Sequence, residues 1–394
     1  MSPVMSSDRK SPDRLSALTG LRFLAAVWVV MLHNVNPAKV PRVAMNFIGR
    51  GYVAVDLFFV LSGYILTLNY INPAGTFRGG KTKFWMARLA RIYPVYALAL
   101  LLSIGMGLEA YRSAHLFTGR LQFYTSFILT AVLQQSWWNS TATLWNFPAW
   151  SVSVEAFFYV VFPIAALWVG RISARRLFAA LGVCWLIAMT GPLLGFIENP
   201  AASYDAWRTD FVRYLLMVNP LLRLPEFLFG MMLGRIFQLS GDRFPRLSLW
   251  TTVSLVAAAG VLFTTGVPRI FVGNGLLAPV WAVLIYALST GKPSFLHRIL
   301  SLPPMVVLGE ASYGIYILQA PLAWFVFHYY RGPGRLAVYL AVLIASSLLS
   351  FWWFETPVRN AIRTRFGKRP VAVAAARPAS ESTPVMGPLE PEAG

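Results

Sequence analysis

The 394-residue sequence is poor in cysteine, histidine and acidic side chains. It holds one cysteine, four histidines and 15 Asp and Glu against 34 Lys and Arg. A single thiol, Cys184, standing in an apolar run, leaves no basis for a disulfide framework, a CxxC centre or a thiolate metal site. It reads as a small buried hydrophobe. Scattered histidines and carboxylates give no ligand cluster, so no metal is expected. There is no Walker loop and no dinucleotide-type glycine turn. Charge of either sign is scarce: 12% of residues are charged, against about 25% in a soluble domain. No defensible period marks an internal repeat. No cleavable leader is expected either. Residues 1–14 are polar, with Arg9, Lys10 and Arg14, and the apolar run behind them lacks a small-residue cleavage site.

What remains is apolar. Hydrophobic residues make up 57%, aromatics 15%, and the mean hydropathy is +0.58. That balance belongs to a chain whose main solvent is lipid, with aromatics for the two membrane–water interfaces. The expected fold is an all-α polytopic transmembrane bundle. Runs long enough to cross, about 20 residues each, predict about ten spans, at 16–36, 51–70, 92–109, 149–169, 177–196, 216–238, 248–266, 271–290, 305–328 and 336–354. The stretch 121–138 reads as re-entrant or interfacial. Residues 1–14 are expected to form a cytoplasmic tail, 15–360 the membrane domain, and 361–394, rich in Pro, Ala and Glu, a disordered cytoplasmic tail. The net charge of +19 could suggest nucleic acid. However, most Lys and Arg fall in short segments that the ten-span scheme puts inside, so they read as topology determinants with both termini cytoplasmic.

Ionisable residues within spans are costly and mark function. They are Arg22, His33, Asp56, Glu155, Arg223, Glu226 and Glu310, with Glu355 at the end of the last span. Arg223 and Glu226, three apart, suit a structural pair, and Gly230 and Gly234 follow at the GxxxG spacing of close helix packing. Arg22 and His33 are eleven residues apart, three turns and about 20°, so they share a helix face with about 16 Å between them. One face can thus hold an anion near the cytoplasm and a proton acceptor towards the outside. Arg88 and Arg91 share a face at a helix start, where two guanidiniums can grip a phosphate bidentately or simply anchor the helix. Ser151, Glu155 and Tyr159, spaced by four, line one face with polar groups.

At these residues the sequence resembles the acyltransferase-3 family of integral membrane proteins. Leu15 to His33 is similar to its Arg-x10-His motif, and Gly51 to Tyr64, with Asp56, to its second-span motif. Phe84 to Pro94 resembles its RxxR segment, and Trp150 to Pro163 its WSxSxE block. Arg223-Leu-Pro-Glu226-Phe, Gly309 to Pro321 and Phe354-Glu355-Thr-Pro357 resemble later blocks. Two departures stand out: Ala156 follows Glu155 where family members often have Glu or Gln, and Gln319 stands where they often have His. The resemblance implies transfer of an acyl group, usually acetyl, from acetyl-CoA or another acyl-CoA to a hydroxyl of a carbohydrate or lipid-linked glycan. Under it, Arg88, Arg91 and Arg22 hold the donor, and His33 is general base or transient acyl carrier. Glu155 or Asp56 orients the imidazole or binds acceptor hydroxyls, and Ser151 and Tyr159 contact substrate. The expected setting is a bacterial inner membrane, with no nucleic-acid partner. The alternative is a transporter or flippase of a glycan or lipid, which buried charges in ten spans would also suit.

Overall fold

The structure, a computed structural model, describes residues 15–113, 119–204, 211–241, 246–264, 266–290, 292, 294–358 and 360–361. Except for Ala361, the segments read as tails, 1–14 and 361–394, lie outside the described residues, as does His115. Apart from one isolated bridge between Ile71 and Phe77, the described residues form helices and turns. The helices are α1 (Ser16–Asn34), α2 (Arg42–Ile48), α3 (Val53–Tyr70), α4 (Lys81–Leu102), α5 (Ile104–Arg112), α6 (Arg120–Ala131), α7 (Trp150–Val169), α8 (Ala174–Glu198) and α9 (Phe211–Val218). After them come α10 (Pro220–Ser240), α11 (Leu247–Phe263), α12 (Arg269–Val272), α13 (Ala278–Ser289), α14 (Phe295–Leu300), α15 (Pro303–Glu310), α16 (Ser312–Tyr329) and α17 (Arg335–Ser350). The expected all-α membrane bundle is therefore what the sequence builds. Among the described residues, six helical stretches are long and apolar enough to cross a bilayer: Ser16–Asn34, Arg42–Tyr70, Lys81–Arg112, Phe147–Val169, Ala174–Glu198 and Arg335–Val358.

Several expected spans have different edges, each for a local reason. α4 starts at Lys81, eleven residues before position 92. Lys, Met, Arg, Ala and Leu are strong helix formers, so the basic stretch is helical although it is not apolar. The stretch 271–290 is not one helix. The turn around Asn274 and Gly275, the latter at φ 87°, separates α12 from α13. The stretch 305–328 divides at Ala311 into α15 and α16. α6 has 12 residues, about 18 Å of rise, against a hydrocarbon core of about 30 Å. It does not cross alone, and the chain turns at Leu133, which has φ 59°.

α3 and α10 pack closely together, and glycine allows it. A Cβ at Gly63 would lie 2.1 Å from the Phe227 carbonyl oxygen, and one at Gly230 would lie 1.9 Å from that of Val60. The Gly230/Gly234 spacing thus faces α3, as small residues in membrane helices do. Outer helices keep apolar surface. On α8, Leu186, Ile187, Leu194 and Ile197 are all exposed, as lipid-facing side chains are.

Candidate active site

α1, α3, α7 and α16 run side by side and place the candidate residues in two cavities. The first has about 880 Å³ of empty space, its open mouth included, and is lined by Arg22, Ser62, Arg88, Arg91, Ser151, Glu155, Tyr159, Ser312 and Tyr313. The second has about 1050 Å³ and is lined by His33, Tyr52, Asp56, Thr143, Phe147, Trp150, Arg223, Arg269 and Asn274. Val55 and Tyr316 line both, so they form the wall between the two. Arg22 and His33 both stand on α1 but line different cavities. The two sit towards opposite ends of α1, each opening into its own chamber. His33 is the penultimate residue of α1 and is exposed, so it stands at the mouth of its chamber and not deep in the span.

The first chamber is a basic site with its charge balanced from the side. Arg88 and Arg91 come from the first turns of α4, on the same side as the end of α3. There the Arg88 Nη2–H donates to the Tyr70 hydroxyl at 3.0 Å, and the guanidinium lies 5.3 Å from the Tyr70 ring centroid. Arg88 Nε is buried with no hydrogen-bond partner among the described residues. Arg22 and Arg91 sit in the fields of Glu155, Glu310 and Glu355. The π-helical turn Phe351–Glu355 carries Glu355 inward, where it is buried. Glu155 accepts from Tyr159 Oη at 2.6 Å and Ser62 Oγ at 3.0 Å. In turn, the Trp85 indole N–H donates to the Tyr159 carbonyl at 2.9 Å, tying α4 to α7. The predicted row Ser151, Glu155 and Tyr159 does share one face, and that face belongs to this chamber. A guanidinium with one buried N–H left unpaired, lining a chamber with two more, suits an anionic phosphate group.

The second chamber holds the imidazole. His33 Nδ1 lies 3.0 Å from Gln319 Oε1, and its ring meets the Phe147 ring edge-on at 4.3 Å. Phe147 belongs to the turn Phe147–Ala149, which is pinned to α16 by the Asn146 amide donating to the Ile317 carbonyl at 2.8 Å. The sequence reading offered Glu155 or Asp56 as the group orienting the imidazole. The structure puts Gln319 there instead. Glu155 lines the other chamber, and the Asp56 carboxylate is taken up by the Arg223 guanidinium and by the Gly275 N–H at 3.2 Å. Glu226 completes that cluster 3.0 Å from Arg223. The expected Arg223/Glu226 pair is therefore real, and Asp56 joins it.

At the dividing wall, the Tyr316 hydroxyl lies 2.7 Å from Ser151 Oγ and 3.2 Å from the Pro148 carbonyl, which also accepts from Ser151 at 3.0 Å. Tyr316 and Gln319 were not singled out from the sequence as site residues. The available signal was their polarity three apart in the apolar run Tyr316-Ile-Leu-Gln319, which sets both on one helix face. Arg269, 3.8 Å from the Tyr52 ring centroid, was also missed, because a lone Arg after a Pro reads as a loop charge. Among the described residues no group of His, Cys, Asp and Glu could hold a metal ion.

Acyltransferase MdmB of Streptomyces mycarofaciens is 26% identical over 95% of this chain and 98% of its own length. O-acetyltransferase OatA of Staphylococcus aureus (strain NCTC 8325 / PS 47) is 24% identical over 89% of the chain and 58% of its own length. YrhL of Bacillus subtilis (strain 168), whose name marks it as a provisional peptidoglycan O-acetyltransferase, is 25% identical over 90% of the chain and 56% of its own length. The chain thus spans little more than half of the latter two. No solved structure gives a significant match. The pattern of the family described as an acyltransferase domain matches residues 15–355, and with it the enzyme reading stands over the transporter alternative: this chain belongs to the acyltransferase-3 family of membrane acyltransferases.

Proposed function

We propose that this chain transfers an acyl group, acetyl in the first instance, from cytoplasmic acyl-CoA to a carbohydrate hydroxyl on the outer side of a bacterial inner membrane. The observation that carries the reading is the pair of chambers meeting at Val55 and Tyr316, with three arginines in one and an accessible imidazole in the other. Arg88, Arg91 and Arg22 would hold the donor's phosphates and draw its thioester towards the wall. The acceptor enters from the His33 side. His33 Nε2 takes the hydroxyl proton as the oxygen attacks the thioester carbonyl carbon. The C–S bond breaks, the thiolate takes the proton back from the imidazolium, and an ester and free CoA thiol result. Glu155 serves in the donor chamber, where its charge offsets Arg22 and Arg91. Asp56 serves as a tie between helices. Both termini are read as cytoplasmic, from the positive-inside pattern.

A carbohydrate acceptor is supported by the peptidoglycan O-acetyltransferase name of YrhL. It is supported also by the aromatic walls of the second chamber, Tyr52, Phe147, Trp150 and Tyr316, against which a sugar's apolar face can pack. The test is purified protein with radiolabelled acetyl-CoA and envelope glycan. Label moving into glycan, with CoA thiol released, is the expected result. Glycan that stays unlabelled, with acetyl-CoA intact, contradicts it.

A further inference from the structure

Gln319 is fully buried on α16, an uncommon place for an amide within a membrane bundle. Both ends of that amide are engaged. Its Nε2–H donates to the Tyr316 carbonyl at 2.7 Å, and its Oε1 faces His33 Nδ1 at 3.0 Å. The main-chain carbonyl of Gln319 accepts from the Tyr339 hydroxyl at 3.2 Å, which fixes α16 to α17 at this level. These contacts leave one consistent set of protons. A carbonyl oxygen only accepts, so the NH2 end of the amide must face Tyr316 and its oxygen must face the imidazole. That oxygen also only accepts, so the proton of the neutral ring is on Nδ1 and the lone pair is on Nε2. The Phe147 ring, edge-on at 4.3 Å, limits reorientation of the imidazole.

We propose that Gln319 is a positioning residue that selects the Nδ1–H tautomer of His33 and so leaves Nε2 open to the acceptor hydroxyl. The proposal rests on the reading of His33 as the base. Among the described residues, the titratable or charged groups facing the same chamber are Tyr52, Asp56, Arg223, Arg269 and Tyr316. Of these, Arg269 acts on the imidazole through its charge, and Asp56 is held by Arg223 and Gly275. Gln319 is the described residue that hydrogen-bonds the ring. An amide does not titrate, so it selects the same tautomer wherever the ring is neutral.

The experiment is release of CoA thiol from acetyl-CoA by the full chain in detergent, with envelope glycan as acceptor, followed across about pH 5–9. Gln319→Leu should lower kcat about tenfold, the worth of one orienting hydrogen bond, with KM for acetyl-CoA unchanged because the arginines stand in the other chamber. Gln319→Glu keeps an accepting oxygen at Nδ1 and adds a negative charge that favours the imidazolium. Its activity should survive, with the acidic limb of the pH profile moved to higher pH. A purely structural role moves no limb, so an unshifted profile in Gln319→Glu overturns the proposal even where Gln319→Leu fails to fold. Gln319→Leu at full kcat beside an inactive His33→Ala overturns the positioning role and leaves the base intact. His33→Ala at wild-type rate overturns the base itself.

Discussion

Removing the Arg223 side chain should be among the most destabilising single changes in this protein. The guanidinium is 1% exposed and stands between Asp56 at 0% and Glu226 at 2%. It donates to Asp56, to the Gly273 carbonyl at 2.7 Å and to Asn274 Oδ1 at 2.9 Å, with Glu226 at 3.0 Å. It thereby joins α10 to α3 and to the turn between α12 and α13. Arg223→Met keeps much of the volume but leaves two buried carboxylates without a cation, and breaking such a cluster costs about 3–5 kcal/mol. At about 1 °C per kcal/mol for a chain of this length, melting of the detergent-solubilised protein should fall by roughly 5 °C. In an Asp56→Asn, Glu226→Gln background no carboxylate remains to be orphaned. There the same substitution should be neutral or stabilising, and the cycle should give a coupling of roughly 3 kcal/mol. An equal loss in both backgrounds refutes the electrostatic reasoning. Asp56→Asn alone also tests the role of that carboxylate. Turnover per folded molecule should hold, and a folded variant without turnover would return Asp56 to the chemistry that its sequence motif suggested.

Three further outcomes follow from the same geometry. Arg88→Ala or Arg91→Ala should weaken acetyl-CoA binding by about 1.5–3 kcal/mol, and Lys at either position should restore only part; equal donor affinity in the double alanine variant sinks the clamp. Gly230→Ala puts a Cβ 1.9 Å from the Val60 carbonyl oxygen and should lower melting clearly, whereas Gly182→Ala, with nothing within 4 Å of its Cβ, should not. Introduced cysteines should label from outside at Pro333 and from inside at Ala174. The native Cys184 is buried and adds little background, so the reverse pattern at either position overturns the orientation.

The long apolar runs carried the fold legibly. α1, α3, α7 and α8 lie within a few residues of their expected spans, because each is a continuous lipid-facing or core-facing run bounded by polar residues. Legibility stopped where backbone geometry cuts across hydropathy. The Asn274-Gly275 turn sits in an apolar stretch, and the pull of hydropathy outweighed a dipeptide that signals a turn. The helical start at Lys81 was hidden because the search was for apolarity and the first turns of α4 are basic. For the site, helix periodicity put Ser151, Glu155 and Tyr159 on one face, and all three line one chamber. It could not tell that Glu155 faces the arginines and not the imidazole, since that depends on how α7 packs against α4 and α3. Gln319 was visible as a departure from the family pattern. Its meaning required knowing that α16 brings it within hydrogen-bond distance of a residue 286 positions earlier in the chain.

The central claim is that donor binding and proton abstraction occupy separate chambers. It is tested most directly by measuring acetyl-CoA binding and label transfer on the same preparation of His33→Gln protein. Gln keeps the approximate size and a hydrogen bond but cannot accept a proton at neutral pH. Binding should match the wild type, because Arg22, Arg88 and Arg91 line the other cavity, while transfer should fall by about 10²–10⁴-fold, as for loss of a general base. Transfer by His33→Gln at near the wild-type rate contradicts the account.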